Sequence, residues 1–373
     1  MLKEGKEKIR VRICFSSFSM KQKFFGSSGR LGEGGGRIWK SKEWETLGLP
    51  KEEEISGLEM TVKSIFVKPV SVLHPKFIVV DRRKVWFLSC NVSWEEWFEG
   101  VIGLEGEIVG KTLEYWRRVW GSGGDETLDS FEEQDSEVSS EGLHQEADGR
   151  RLINHITLSA KEEITTILLP SPHHSSLSAL FSPSTNPPPT PLNLFLLTAF
   201  SSATRSIFIT TPNLTSSPVI EALFTALKRG VDITILTSRK LMILEQLVTA
   251  RTITEWEVWK LTRRYRKLLS PQNRNRSNPR DLESGARGIG VLKIGYFKPK
   301  GKKKREEEGE PVKLHFKCTV VDGEIAVLGS GNMDRASWWT SQELGVAVLG
   351  ADVVREIERC AEEGLEGRIE WVC

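Results

Sequence analysis

The order of apolar and polar positions predicts that the second half of the chain alternates between strands and helices. Apolar runs typical of strands are interleaved there with apolar stripes at three- and four-residue spacing, which are typical of helices. This order implies parallel strands joined by helical crossovers. The predicted strands are residues 163–169, 206–210, 231–236, 291–297 and 344–349, and the predicted helices are residues 192–203, 218–229 and 352–362.

The first half repeats only part of this order. Residues 9–15 match the strand at 231–236, residues 61–68 match 291–297, and residues 109–120 carry a helical stripe. Eight residues precede the first of these strands, so the first half is expected to lack one strand and two helices. A truncation at the N-terminus is the simplest explanation, and a naturally shorter half is the alternative. The loss should leave a sheet edge and an apolar face uncovered.

Composition divides the chain into two halves joined by an acidic linker. Residues 121–150 are rich in Asp, Glu, Ser and Gly and almost free of bulky side chains, so they cannot bury enough surface to fold. We therefore predict a first half over residues 1–120, a linker over 121–150 and a second half over 151–373. The second half also carries a Pro-rich loop at 171–191 and a charged insertion at 298–308.

Two aromatic stretches stand out. Residues 241–269 form a long amphipathic segment in which Trp256 and Trp259 are followed by cations between residues 263 and 267. Aromatic and basic side chains together suit an anionic lipid surface or a nucleic acid, although a solvated helix over a pocket explains the same pattern. The second stretch, residues 94–98, is predicted to be core or pocket wall.

One polar pattern, H-x-K-x4-D, occurs once in each half, and its β-branched surroundings predict a strand covered on both faces. Strand side chains alternate, so the His and the Lys point to one side about 7 Å apart and can converge on one phosphate. The Asp is at an odd spacing and is interpreted as a supporting residue, not an attacking group. The candidate catalytic residues are His74, Lys76 and Asp81 in the first copy and His315, Lys317 and Asp322 in the second.

Each copy is followed by a second apolar run and a short polar turn. The turn is Gly-Ser-Gly-Asn at 329–332 in the second half and Leu-Ser-Cys-Asn at 88–91 in the first. Leu88 replaces a Gly that would allow close backbone approach to a phosphate, which should narrow the first-half pocket. Ser and Asn offer neutral hydrogen bonds to an anion. The predicted phosphate-binding residues are Ser89, Asn91, Ser330 and Asn332.

Two imidazoles on either side of a phosphodiester can divide the chemistry between them. A neutral His attacks phosphorus and forms a phosphohistidine. The protonated second His gives a proton to the leaving oxygen and then accepts one from the incoming alcohol or water. The two lysines stabilise charge on the non-bridging oxygens. No residues have metal-ligand spacing, so neither a metal nor a cofactor is predicted.

The duplicated motif and its turns resemble the phospholipase D superfamily, and residues 332–343 are similar to its cardiolipin synthase-type branch. The resemblance covers most of the chain. It implies an α/β fold of two halves, each a mixed β-sheet flanked by helices, with one active site between them. It also implies that an acidic residue beyond the Asn orients the His: Glu343 is in the expected place, and Glu99 is the first-half candidate. In relatives the first-half His is the nucleophile and the second-half His is the acid.

The favoured function is a metal-independent phosphodiesterase or phosphatidyltransferase that acts on glycerophospholipids at a membrane surface. A nuclease of the same superfamily and an inactive scaffold are the alternatives. The short first half and Leu88 favour the scaffold. The net charge of +2 gives no general attraction to nucleic acid or to an anionic membrane.

The cysteine content and the apolar runs bear on location. Five cysteines without C-x-x-C spacing predict reduced thiols and an intracellular protein that is cytoplasmic, peripheral to a membrane or mitochondrial. The first residues lack an apolar stretch, so no secretory signal is predicted. No apolar run approaches the roughly 18 residues that span a bilayer, so no transmembrane segment is predicted. The oligomeric state is left open.

Overall fold

The fold is an α/β arrangement built around one large mixed sheet. The computed structural model describes residues 9–16, 36–65, 72–91, 95–121, 163–173, 186–270, 288–300 and 310–373. Its strands are β1 (Ile9–Ser16), β2 (Arg37–Trp39), β3 (Leu58–Ile65), β4 (Phe77–Val80), β5 (Lys84–Leu88), β6 (Trp97–Phe98), β7 (Val101–Glu105), β8 (Thr165–Ser171), β9 (Ser206–Thr210), β10 (Asp232–Thr237), β11 (Leu292–Phe297), β12 (Lys313–Leu314), β13 (Cys318–Val321), β14 (Ile325–Gly329), β15 (Glu343–Leu349) and β16 (Ile369–Trp371). Its helices are α1 (Glu107–Trp120), α2 (Pro191–Ser202), α3 (Ser217–Lys228), α4 (Ile243–Ala250), α5 (Thr254–Leu269), α6 (Arg335–Trp339) and α7 (Ala351–Leu365), with 3-10 helices at Ser41–Leu47 and Glu52–Ile55.

The large sheet has eight strands in the order β16-β11-β10-β9-β13-β14-β15-β8. Strands β9, β10 and β11 are parallel, and the remaining neighbours are antiparallel. The predicted strand–helix–strand order is confirmed, because α3 connects β9 to β10. The short strand β16 was not predicted; it pairs with β11 over three residues.

Alternate side chains of the central strands enter two different cores. Ile207 and Ile209 of β9 pack with α2, α3 and α5, whereas Phe208 packs on the opposite face with α7. All four residues of β13 are buried, so the prediction of a strand covered on both faces is confirmed for the second motif. Helix α2 begins as its residues predict, with Thr190 as N-cap and Pro191 in the first turn.

The predicted α/β class with mixed sheets is confirmed, and in the first half the described strands form two separate three-stranded sheets, of which one is mixed. One has the order β1-β3-β2, and the other, β4-β5-β7, is antiparallel. Strands β1 and β3 are parallel, as β10 and β11 are. In the large sheet β9 lies between β10 and β13, but no described strand fills that position between β1 and β4. The prediction that this strand is covered on both faces is therefore wrong for β4, because Ile78 is 52% exposed and Val80 is 42% exposed.

Matching hydrogen bonds show that the two small sheets keep the relative placement of their counterparts. The Leu314 N–H donates to the Ser238 hydroxyl beyond the end of β10 at 2.9 Å. In the first half the Leu73 N–H donates to the Ser16 hydroxyl at the end of β1 at 3.2 Å. Each bond joins the residue before a motif His to the end of an earlier strand. In the large sheet that strand is β10, which is separated from β13 by β9. In the first half it is β1. The gap between β1 and β4 therefore corresponds to the position of β9.

Several predictions about connecting segments lie partly or wholly outside the described residues. They concern the linker at 121–150, much of the Pro-rich loop and most of the charged insertion. The long amphipathic segment is divided into α4 and α5 by Arg251, which has a left-handed φ of 55°. Among the helices that the structure describes, none is both long and apolar enough to cross a bilayer.

Candidate active site

Backbone hydrogen bonds tie each motif to the opposite half of the chain. Strand β12, just before His315, pairs in parallel with β6 of the first half, and the His315 N–H donates to the Phe98 carbonyl at 2.9 Å. The first motif repeats this arrangement: the His74 N–H donates to the Gln342 carbonyl at 3.0 Å, and the Gln342 N–H donates to the Val72 carbonyl at 2.8 Å. Each His therefore lies beside the residue that precedes the acidic residue of the other half.

This backbone pairing brings each imidazole onto a carboxylate from the other half. His74 Nδ1 lies 2.8 Å from Glu343 Oε2, and His315 Nδ1 lies 2.5 Å from Glu99 Oε1. A carboxylate at Nδ1 favours a proton on that nitrogen and leaves Nε2 to act on a substrate. The structure places both predicted acidic residues on a motif His. The sequence did not indicate that the pairs cross between the halves.

The two serines have a partner that the sequence did not predict. The Ser330 hydroxyl donates to Glu343 Oε2 at 2.6 Å, and the Ser89 hydroxyl donates to Glu99 Oε2 at 2.5 Å. Both serines are buried. Their hydroxyls thus hold the carboxylates that hold the histidines, where a phosphate contact had been expected. Ser337, which was not predicted, donates to the second oxygen of Glu343 at 2.7 Å.

The predicted asparagines differ from each other in their surroundings. The Asn332 side-chain amide donates to Asp334 at 3.1 Å, and its backbone N–H donates to the Ser337 hydroxyl at 3.1 Å. Asn91 is exposed. Their contact with a phosphate stays a prediction.

Each lysine lies with the histidine of its own motif, although both pairs precede strands β4 and β13, where the sequence had predicted them on the strands. Lys76 Nζ donates to the His74 carbonyl at 2.8 Å. Lys317 Nζ donates to the His315 carbonyl at 2.7 Å and to the Ser89 carbonyl at 3.2 Å, and it lies 3.0 Å from His315 Nε2. Burial lowers the pKa of Lys76 to about 8 and the pKa of Lys317 to about 7, against the opposing effect of the site carboxylates.

Electrostatics favours neutral imidazoles beside ionised carboxylates. Desolvation lowers the pKa of His74, and it lowers the pKa of His315 to about 4, although the paired carboxylates oppose both shifts. Burial would raise the pKa values of Glu99 and Glu343, but their histidine partners and the lysines outweigh it and hold both values below normal. Lys317 affects the pKa of His74, and Lys76 affects that of His315. The two motifs therefore belong to one electrostatic site.

The two imidazoles differ in access to solvent. The side chain of His74 is 21% exposed, whereas that of His315 is 3% exposed. The Trp97 ring lies over His315, with ring centroids 4.6 Å apart. The prediction that the aromatic stretch supplies core or pocket wall is thus confirmed for Trp97, and Phe98 is buried in the core beneath it.

The aspartates lie at the far ends of the motif strands. The Asp322 carboxylate accepts hydrogen bonds from the backbone N–H groups of Thr204, Arg205 and Ser206, at the start of β9. This geometry agrees with its interpretation as a supporting residue. Asp81 occupies the equivalent position after β4, but no described residue hydrogen-bonds to its side chain. The partners of Asp322 are at the start of β9, and the described part of the first half has no strand equivalent to β9.

Among the described residues, no group of three or more His, Cys, Asp or Glu side chains could hold a metal ion. None of the five cysteines, all of which the structure describes, forms a disulfide.

Comparison with known proteins shows a family to which part of the second half is similar. Residues 196–363 match the family described as cardiolipin synthase, PLD-like domain. Phosphatidylserine synthase from Haemophilus influenzae Rd KW20 shares the fold, with a TM-score of 0.52 and 11% identity over 98% of this chain and 82% of its own. No curated protein matches the chain.

Two further solved structures match about half of this chain. NucT from Helicobacter pylori is 13% identical with a TM-score of 0.32, and Nuc, a phospholipase D family member from Salmonella typhimurium, is 16% identical with a TM-score of 0.30. Each match covers 56% of this chain and 99% of the other.

Proposed function

We propose that the chain belongs to the phospholipase D superfamily and is a metal-independent phosphodiesterase or phosphatidyltransferase acting on glycerophospholipids, which the family match of residues 196–363 and the shared fold support. The observation that carries the proposal is the crossed pairing of His74 with Glu343 and of His315 with Glu99. Two imidazoles fixed at Nδ1, each with a lysine beside it, form a site suited to a single phosphodiester.

We assign the nucleophile to His74. Its imidazole is the more exposed of the two, and desolvation keeps it neutral despite the Glu343 carboxylate. In the first step a bond forms between His74 Nε2 and phosphorus while the bond from phosphorus to the leaving alcohol oxygen breaks. Glu343 stabilises the positive charge that develops on the imidazole, much as a carboxylate supports the histidine in other nucleophilic sites.

We assign the acid to His315. Desolvation lowers the pKa of His315 to about 4. A bound anionic phosphodiester beside the ring would favour the protonated imidazole and so raise this pKa. Protonated His315 then gives its proton to the leaving oxygen. In the second step neutral His315 accepts a proton from water or from an acceptor alcohol, the new oxygen bonds to phosphorus, and the bond to His74 breaks.

The two lysines would carry the charge of the non-bridging oxygens. Both ammonium groups are next to the imidazoles, and Lys317 is held by carbonyls from both halves. Preorganised cations of this kind stabilise the transition state because they need not reorient as charge develops.

A lipid substrate is favoured over nucleic acid by two features. The family match of residues 196–363 is to a cardiolipin synthase-type domain, and exposed Trp256 and Trp259 accompany the basic residues of α5. A nuclease is the second candidate, because two imidazoles held at Nδ1 with a lysine beside each would suit the phosphodiester of a nucleic acid as well.

The test compares two substrates in the presence of EDTA. Purified protein is incubated with phosphatidylglycerol vesicles and, separately, with single-stranded DNA, and released products are measured. We expect turnover of the lipid, loss of turnover in both His74→Ala and His315→Ala, and no effect of the chelator. Cleavage of DNA alone would replace the lipid proposal with the nuclease, and full activity of either His variant would overturn the two-histidine mechanism.

A labelled substrate separates the roles of the two histidines. Phosphatidyl-labelled protein should accumulate in His315→Ala when the leaving group is good enough to depart without an acid, and none should form in His74→Ala. The reverse pattern would exchange the two assignments.

A further inference from the structure

Helix α4 exposes apolar side chains and buries a polar one, the opposite of an ordinary surface helix. Its one buried residue is the polar Gln246. Leu244, Leu247 and Val248, spaced to share one helical face, are 79%, 47% and 76% exposed. A surface helix normally turns such a stripe toward the core, so this face is expected to have an apolar partner outside the described residues.

Buried hydrogen bonds fix this inverted orientation. Gln246 Oε1 accepts from the Thr254 N–H at 2.7 Å and from the Thr254 hydroxyl at 2.8 Å. Rotating the helix so that the apolar stripe faced inward would break both bonds and remove Gln246 from its buried position. The exposure of the three side chains is therefore a property of the folded protein.

Helix α5 begins at Thr254, which the hydrogen bonds to Gln246 fix beside α4, and its first two turns expose aromatic and basic groups. Trp256 and Trp259 are 53% and 49% exposed, and their rings stack at 4.9 Å between centroids. Lys260 lies over the first ring at 5.9 Å and Arg263 over the second at 5.3 Å. Exposed indoles beside cations are typical of side chains that lie at the level of lipid headgroups.

This surface lies next to the catalytic site. Helix α4 packs against α6, whose N-cap is Asp334. Desolvation, together with the charges of Asp334 and Glu343, raises the pKa of Glu245 on α4 to about 7. Ser337 of α6 donates to Glu343, the carboxylate that holds His74, so α6 connects α4 to the catalytic site.

We propose that the α4–α5 surface, formed by Leu244, Leu247, Val248, Trp256 and Trp259, docks on an anionic bilayer and brings the catalytic cleft to the lipid headgroups. This inference rests on the proposed lipid function. The combination of aliphatic tips, paired indoles and cations matches a membrane interface. Nucleic acid offers no partner for the three exposed aliphatic side chains.

The test is vesicle flotation, which needs no catalysis. Purified protein is mixed with phosphatidylcholine vesicles that contain or lack phosphatidylglycerol, and the floating fraction is measured. We expect binding that is stronger with phosphatidylglycerol. Leu244→Ser with Val248→Ser should lower the vesicle association constant about tenfold or more, and Arg263→Gln should lower it about fivefold on the anionic vesicles alone.

The matched control is Leu194→Ser with Val291→Ser, because these two side chains are 51% and 49% exposed on other elements. It should bind vesicles like the unmodified protein. Equal binding by both double variants would overturn the proposal, as would failure of the unmodified protein to float with either vesicle. Self-association abolished by the α4 variant, measured by sedimentation without lipid, would assign the surface to a second copy instead.

Flotation and turnover give separate answers. A protein that floats but cleaves only DNA would contradict the lipid function and leave the docking surface in place. A protein that hydrolyses phosphatidylglycerol dispersed in detergent but does not float would contradict the docking surface alone.

Discussion

The two halves of the molecule present equivalent catalytic side chains on unequal frameworks. The His and Lys of the second motif lie directly before β13, which is flanked on both sides in an eight-stranded sheet. The first motif lies beside β4, an edge strand of a three-stranded sheet with partly exposed apolar residues. The site is nevertheless nearly symmetric, since His74 is held by Gln342 and Glu343 of the other half. The second half thus positions His74, the candidate catalytic histidine of the first half.

The two carboxylates provide the largest expected contrast. Glu343 is 1% exposed and accepts from Ser330 and Ser337 as well as from His74, whereas Glu99 is 20% exposed. Glu343→Gln should lower kcat about 1000-fold, because an amide no longer selects the productive tautomer or stabilises the imidazolium. Glu99→Gln should lower kcat about 10- to 100-fold. Steady-state kinetics on phosphatidylglycerol checks both, and a larger loss in Glu99→Gln would reverse the proposed ranking.

The polar turns contrast in backbone conformation. Gly329 has a φ of +146°, and a Cβ there would lie 2.3 Å from the Leu344 carbonyl oxygen. Gly329→Ala should therefore destabilise the fold by about 3 kcal/mol, through backbone strain and overlap. Leu88 occupies the equivalent position without such a constraint, so Leu88→Ala should cost about 1 kcal/mol. Urea unfolding measures both values, and equal losses would contradict the assigned difference.

The two motif aspartates differ in their partners, because no described strand lies beside β4 in the way that β9 lies beside β13. Asp322→Ala removes the acceptor for the chain entering β9 and should lower stability by about 2 kcal/mol. Asp81→Ala should change stability by less than about 0.5 kcal/mol, because no described residue bonds to its carboxylate. A comparable loss in Asp81→Ala would show that its side chain has a partner in the folded protein.

The Asp322 effect should depend on pH in a defined direction. Burial would raise the pKa of Asp322, but the N–H donors outweigh burial and lower it, so the folded state favours the carboxylate. The stabilisation is present above the unfolded pKa of about 3.9 and is lost as pH falls through the lower folded value. The difference between the unmodified protein and Asp322→Ala should therefore shrink below about pH 4. A difference that persists undiminished in acid would mean that the carboxylate is not responsible.

The lysines give the smallest expected difference. Lys317 has a pKa of about 7 and Lys76 a pKa of about 8, so Lys317 loses its charge first as pH rises. The alkaline fall in kcat/KM should begin near pH 7, and Lys317→Arg should move it up by about one unit, to where Lys76 deprotonates. The pH profile of each protein is the measurement. An unchanged profile in Lys317→Arg would exclude Lys317 as the group that titrates.

Much of the fold was predictable because its signals are local. Strands β9, β10 and β15 and helices α2, α3 and α7 lie within a few residues of their predicted bounds, since apolar periodicity and end signals depend only on neighbouring residues. Helix α4 shows the limit of that approach. The segment was predicted as one amphipathic unit, but a left-handed Arg251 divides it and a buried Gln246 sets which side faces solvent.

The sequence alone indicated the candidate chemistry: two His–Lys pairs, each next to a predicted strand, and an acidic residue beyond each pair. The tertiary structure alone decided which carboxylate holds which imidazole, that the serines bind those carboxylates, and where the first-half sheet is divided. The partners in the two crossed pairs are 269 and 216 residues apart. Spacing along the chain fixes the direction of a side chain within its own strand, but contact between distant strands depends on how the sheets pack.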